Sequence, residues 1–186
     1  VTLAANQQID SVLNLVNGPL DINTNQLTIS STATNPLRDD ANGISNFGTT
    51  RMVQTAGNAS DGGLRFYYDG LTLDPGATLF PLGTNANGSA RYTPVRANLS
   101  NVTDDGYLQI RVSDTELQTV DLTALSSNLL TYYWRVSHSD FSSLPTVESY
   151  VFTADDSDDP DGGATPIGLP TNFVSGKVLD ESPFTR

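Results

Sequence analysis

The chain has 186 residues, 37% apolar and 16% charged, enough for one ordinary domain or two small ones with a core. Nine Lys and Arg stand against 21 Asp and Glu, a formal charge of −12, which disfavours nucleic acid and anionic lipid as partners. With no Cys and one His, disulfides, thiol nucleophiles, Cys-ligated zinc and His-rich metal sites are all excluded, and no apolar run of about 18 residues occurs to cross a membrane as a helix.

The remaining composition points to an extracellular all-β protein. Ser, Thr and Asn supply 55 residues, Lys177 is the only Lys, and three Glu occur. Side chains that compete for backbone hydrogen bonds favour turns and strands over helix interiors.

In chain order, the first signal is a short internal repeat. Leu13-Asn14-Leu15, Leu20-Asp21-Ile22 and Leu27-Thr28-Ile29 place apolar residues at spacings of 2, 5, 2 and 5. Residues two apart lie about 200° around a helix axis, so these pairs cannot share a helical face. On a strand they share one by construction. Asn17-Gly18-Pro19 and Asn23-Thr24-Asn25 between them are turn formers. Residues 12–30 are expected as three short strands, in a tight meander or as rungs of a small β-roll.

Residues 31–48 read as loop, with Asp39-Asp40 solvated in a turn. A strand is expected over 49–55 with Thr50, Met52 and Gln54 on one face. Leu64, Phe66 and Tyr68 alternate with Arg65 and Tyr67, a strand signal. A boundary is expected near the Asp74-Pro75-Gly76 turn, dividing a short-strand β-roll (1–79) from an antiparallel, immunoglobulin-like β-sandwich (80–186). Phe80-Pro81-Leu82-Gly83 and Tyr92-Thr93-Pro94 are expected as corners joining the two. Proline cannot donate to a ladder, Gly83 permits a sharp bend, and Phe80 and Leu82 pin the corner.

Beyond that boundary the alternation continues. Val95, Ala97 and Leu99 share a face, as do Leu108, Ile110 and Val112. Tyr132, Trp134 and Val136 form another set, with Tyr132 and Trp134 expected in the core. Val147, Ser149 and Val151 oppose Glu148, Tyr150 and Phe152. A turn or two of helix is expected within 114–125, and Phe173–Leu179 is a last apolar segment.

Three features carry possible chemistry. Asp155, Asp156, Ser157, Asp158, Asp159 and Asp161, followed by Gly162, crowd like charges that a hard cation would relieve. Ser157, Asp159 and Asp161 resemble the alternating start of a calcium loop, although Gly168 stands where the bidentate Glu belongs. The bland alternative is a solvated acidic loop. His138 lies in Val136-Ser137-His138-Ser139-Asp140, but a catalytic triad converges from separate elements and not from neighbours on one strand. Glu148, on an expected strand, is the one acid that could be shifted, and such a Glu usually faces solvent. No enzyme is expected. Tyr67, Tyr107 and Tyr133 are the aromatics available for stacking on a sugar if they reach solvent.

Phe80-Pro81-Leu82-Gly83-Thr84, Arg91-Tyr92-Thr93-Pro94-Val95 and Tyr132-Tyr133-Trp134-Arg135-Val136 form an ordered series after the Leu13–Ile29 run. The series resembles the repeat modules of large secreted surface proteins of Bacteroidota, which carry runs of similar type in the same order. The resemblance spans about residues 10–154. It implies export by the type IX secretion system and display on the bacterial cell surface. It also implies adhesins, gliding-motility adhesins among them, built from many such modules, and no catalytic residues. This chain is then expected to be a non-catalytic structural or adhesive module of a longer chain or filament. The alternative is a carbohydrate-binding module of a secreted hydrolase, using the tyrosines with calcium at the Asp loop. Neighbouring modules would meet end to end or by strand addition at sheet edges, with Phe173, Val174, Val178, Leu179 and Phe184 as the exchanged segment.

Overall fold

The apolar pairs of residues 12–30 do not pair with one another. A computed structural model describes residues 1–30, 36–38, 47–85, 88–114 and 132–152, and it sets these pairs on three different sides of one turn of chain. The strands run β1 (Gln7–Ile9), β2 (Leu13–Asn14), β3 (Leu20–Asn23), β4 (Gln26–Ile29), β5 (Leu37–Arg38), β6 (Val53–Thr55), β7 (Gly63–Tyr68), β8 (Gly76–Phe80) and β9 (Leu82–Thr84). On one side β3, β6 and β9 stack in parallel, with Thr2 bridging to Asp21 ahead of them. β1, β4 and β7 stack in parallel on a second side, and β2 with β5 on a third. The chain visits the three sides in rotation, and each visit lands beside the previous one. The spacing of 2 and 5 therefore marks rungs of a roll. The meander is corrected: it would pair β2 with β3 and β3 with β4, and those pairings are absent.

Like sits on like in this register. Leu20, Val53 and Leu82 align across the first side, and Ile9, Ile29 and Phe66 across the second. Ile22, Ile29, Val53, Leu64 and Leu82 are fully buried. Each such side chain contributes about 1.5–3 kcal/mol relative to an exposed one. The corners stack as closely as the strands. Asn23 turns the first corner with φ 52, a left-handed backbone that Asn tolerates. Gly62, at the corresponding corner of the next turn, donates its N–H to the Thr24 carbonyl at 2.9 Å. A Cβ on Gly62 would run into the backbone of Asn25 and Gln26.

Parallel pairing stops where β10 (Arg91–Tyr92), β11 (Val95–Ser100), β12 (Gly106–Ser113), β13 (Tyr133–Ser139) and β14 (Thr146–Phe152) begin. β10 closes the first side antiparallel to β9. β12 and β13 extend the second side, giving a mixed sheet of order β1-β4-β7-β12-β13. β8, β11 and β14 form an antiparallel sheet of order β14-β11-β8. This sheet faces the β7-β12-β13 part of the mixed sheet. Val95, Ala97 and Leu99 join Leu108, Ile110, Val112, Phe66 and Phe80 in one buried cluster, and the Phe66 and Phe80 rings meet edge-on at 4.8 Å. The protein is all-β, with no helix among the described residues. Residues 115–125 of the expected helix lie outside them.

The proline corners sit where the chain changes sheets. Pro81 separates β8, in the antiparallel sheet, from β9, on the parallel stack, and its carbonyl accepts from Val53 N at 2.8 Å. Thr93-Pro94 takes the chain back from β10 to β11. The buried Thr93 donates its N–H to Leu82 O at 2.9 Å and accepts the Trp134 indole N–H at 3.0 Å. Gly83 serves space and not a bend: a Cβ there would collide with the Met52 sulfur and the Arg91 carbonyl. Two face assignments are corrected. In β6 the buried residues are Val53 and Thr55, with Gln54 between them, and Met52 is buried just before the strand begins. In β14 a register shift at Asn98/Leu99 breaks the alternation. Tyr150 and Phe152 pair with the buried Ala97 and Val95, whereas Val151 pairs with the exposed Arg96.

Candidate functional site

Tyr67 and Tyr107 are direct cross-strand partners on the outward face of the mixed sheet, ring centroids 5.4 Å apart. Their faces are largely engaged. The Arg65 guanidinium lies 3.7 Å over the Tyr107 ring and pairs with Asp140 at 3.0 Å. Burial in the sheet face, then the hydrogen bond to Asp105, push the Tyr67 phenol up to about 12. The Gly70 amide, at 3.0 Å, and the Tyr67 hydroxyl hold the Asp105 carboxyl below its ordinary value. Tyr133 is not part of this group. It pairs with Ser113, while Tyr107 pairs with Ser139, so the two tyrosines lie about 20 Å apart along the strand. Of the three expected stacking residues the fold brings two together, both half-buried.

The polar residues further along β12 and β13 hold the 57–63 corner. Gln109 donates to Gly62 O, Arg135 to Ala59 O, and Arg111 to Asp61 O at 3.0 Å. Asp61 is buried beneath them, and its carboxylate accepts from Asn58 N at 3.0 Å. Burial outweighs the donors Asn58, Gly57 and Thr55 and the charge of Arg111, so its pKa is raised. A second buried carboxylate, Asp114, accepts from Thr84 Oγ1 at 2.7 Å and pairs with Arg91 at 2.8 Å. It ties β12 to β9 and β10. Pattern reasoning missed both acids, because each reads as an ordinary turn or strand-end Asp. The one available signal is their place directly after or before an apolar strand.

The recess that His138 lines lies elsewhere. It opens between β13 and β14, holds about 300 Å³, and is walled chiefly by Leu99, Leu108, Val136, Phe141, Leu144 and Val147. Ser137, His138 and Tyr150 are its polar members, and no carboxylate lines it. Burial raises the Tyr150 phenol, which keeps it protonated. The Ser137-His138-Ser139-Asp140 run does not converge. His138 pairs with Leu108 and Ser137 with Gln109 on alternate faces, and Asp140 is held by Arg65. Glu148 is exposed and accepts from Ser100 Oγ. Tyr132 is buried and Trp134 packs against the core, as the alternation anticipates.

Among the described residues no group of three or more His, Asp or Glu is placed to hold a metal ion, and no helix is long and apolar enough to cross a membrane. The expected calcium loop (Ser157, Asp159 and Asp161, with Asp155, Asp156 and Asp158) and the exchange segment (Phe173, Val174, Val178, Leu179 and Phe184) lie outside the described residues. No family model, curated protein or solved structure matches the chain.

Proposed function

We propose that the chain is a non-catalytic structural and adhesive module of an extracellular bacterial surface protein. The observation that carries this reading is where the ionisable groups sit. The buried acids Asp61 and Asp114 are bound into corners and joints, and the recess between β13 and β14 is chiefly apolar. Composition supports the location: no Cys, one Lys and a polar surface of Ser, Thr and Asn. The resemblance to secreted Bacteroidota surface modules, exported by type IX secretion, points the same way. In this reading the parallel roll, which keeps β9 and β10 on its first side, leads into an immunoglobulin-like sandwich to which β8 already belongs. Neighbouring modules meet end to end at the first turn of the stack, where β1 and β2 are terminal strands and Val12 and Val16 are 38% and 49% exposed. An uncovered end of this kind is a natural docking edge.

The test has two arms. Beads coated with the protein are expected to hold to glycan- or cell-coated surfaces above beads coated with another acidic protein. Panels of ester, peptide and polysaccharide substrates are expected to show no turnover. Turnover abolished by His138→Ala would sink the reading.

One observation favours a second reading, a carbohydrate-binding module: Tyr67 and Tyr107 share one outward face. Glycan-array binding lost in Tyr67→Ala would support it, and an empty array would remove it. A calcium requirement is tested separately by thermal melting with and without chelator, where an unchanged midpoint retires the Asp loop as a metal site.

A further inference from the structure

β14 carries one residue more than its register with β11 uses. Asn98 pairs with Ser149 and Leu99 with Val147, so Glu148 is passed over and bulges from the ladder. Residues three apart on a regular strand lie on opposite faces. The bulge cancels that rule, because Val147 meets Leu99 and Tyr150 meets Ala97, two buried residues of one face. Both side chains therefore point between the sheets, and both line the recess of about 300 Å³. On the facing sheet His138 pairs with the buried Leu108 and shares its inward register. An imidazole from β13 and a phenol from β14 thus meet the same space, over the buried Leu99 and Leu108. Bulges that re-aim a side chain are over-represented beside functional sites.

The loop that completes the recess is tied down on both sides. Asp140, at φ 69, turns the chain after β13 and pairs with Arg65 at 3.0 Å. Phe141 lies on Gly106, where a Cβ would run into its ring. The Ser143 N–H reaches Asp104 at 3.0 Å, and Asn101 Nδ2 reaches Thr146 Oγ1 at 3.1 Å. Leu144 and Pro145, between these ties, form the mouth. Val136, Leu144 and Val147, 37%, 64% and 46% exposed, leave it open to solvent. Small-molecule sites are of this kind: largely pre-formed, chiefly apolar, with a few convergent polar groups.

We infer that the recess binds a small neutral molecule with an apolar body and one hydroxyl head, a compact phenol or alcohol. Among the described residues no Asp, Glu, Lys or Arg lines it, so a charged ligand would be desolvated there without a counter-ion. A hydroxyl both donates and accepts. Tyr150, kept protonated by burial, donates to its oxygen, and His138 on the opposite sheet accepts its proton. The volume stands at the low end of the range for such sites, which limits the body to about one ring. The inference goes beyond the adhesive reading and does not depend on it.

The test titrates the full chain with p-cresol, toluene and benzoate in neutral buffer, following the methyl resonances of Val136, Leu144 and Val147 by NMR. p-Cresol is expected to shift them saturably, with toluene and benzoate each weaker by about threefold or more. In Tyr150→Phe the p-cresol affinity is expected to fall by about threefold to tenfold, and the toluene affinity to stay unchanged. Val147→Trp, at a half-exposed position, fills the mouth and is expected to abolish binding of both. Tyr150→Phe keeps the ring, so it decides the question however Val147→Trp folds. Equal binding of p-cresol and toluene, unmoved in Tyr150→Phe, would overturn the hydroxyl class. No saturable shift with any probe, because another part of the chain or a second copy closes the recess, would overturn the inference outright. Neither result bears on adhesion or on the absence of turnover.

Discussion

The parallel stack and the layered half treat the same kind of side chain differently. On β3, β4, β6 and β7 nearly every inward apolar residue is fully buried, because the next turn of chain lies directly on it. On β13 and β14 Val136, Val147 and Phe152, of the same inward register, stay between a third and a half exposed, while Trp134 and Tyr150 are partly buried. The stack closes itself by repetition, whereas in the layered half β13 and β14 end their sheets among the described residues. Alternation in a sequence thus states which face is meant for the core, and burial states whether the core is complete there.

Phe80 is the strongest place to break this comparison, since it lies at the corner that joins the two regions and has no exposure. Phe80→Ala is expected to cost about 3–5 kcal/mol in denaturant unfolding. One shifted transition seen by probes in both regions would show that stack and layers unfold together. Two transitions, only one of them moved, would separate them.

Next come two ion pairs of like chemistry at different depths. The Asp114 carboxylate has no exposure, and its partner Arg91 keeps 18%. Asp114→Ala removes the fully buried carboxylate that Arg91 and Thr84 Oγ1 share, and is expected to cost about 3 kcal/mol. Arg65 and Asp140 are 22% and 62% exposed, and Asp140→Ala is expected to cost less than about 1 kcal/mol. Comparable losses in chemical denaturation would mean that the joint at Asp114 is wetter than its geometry.

Particular residues mark how far this architecture can be read in advance. The 2-and-5 spacing of Leu13 to Ile29 carries the rungs, because period 2 is a local property of strands. It carries no information on which strand lies beside which, so a meander fits it equally well until the pairing of Leu20 with Val53, 33 residues away, is seen. Pro81 and Pro94 are legible as corners because a missing N–H is intrinsic to the residue. Gly83 is legible only as a glycine, since its reason is the Met52 side chain arriving from another turn. Tyr67 and Tyr107 are readable as outward-facing, but their closeness needs the β7–β12 register, and the Arg65 stacking that occupies Tyr107 needs the side chains. The Asp61 and Asp114 sites were not legible, because burial of a turn acid depends on what folds over it.

Gly83 gives a smaller effect with a sharp discriminator. Gly83→Ala is expected to cost about 1–3 kcal/mol through overpacking. Adding Met52→Ala is expected not to restore stability, because the Arg91 carbonyl is backbone and cannot yield. Full rescue would show that β9 and β10 can part, and that the end of the stack is looser than its turns.

The smallest effect lies in pH dependence at the 57–63 corner. Asp61 is harder to ionise in the folded chain than in the unfolded one, chiefly because it is buried. The unfolded carboxyl titrates near about 3.9. Below that value both states are protonated, and the favourable protonated contribution is fully present. As pH rises through the higher folded value the unfolded state gains more from ionisation, and that contribution is lost. Asp61→Asn keeps an oxygen for Asn58 N and has no proton to lose. Its stability relative to the natural chain is therefore expected to improve as pH rises from about pH 3 and to level off once the folded carboxyl has ionised, read from denaturant midpoints at each pH. A relative stability that falls over this range would mean that Arg111 and the three donors outweigh burial. The corner would then be held by charge, and the stack would owe its closure to Arg111 of β12 as much as to its own repetition.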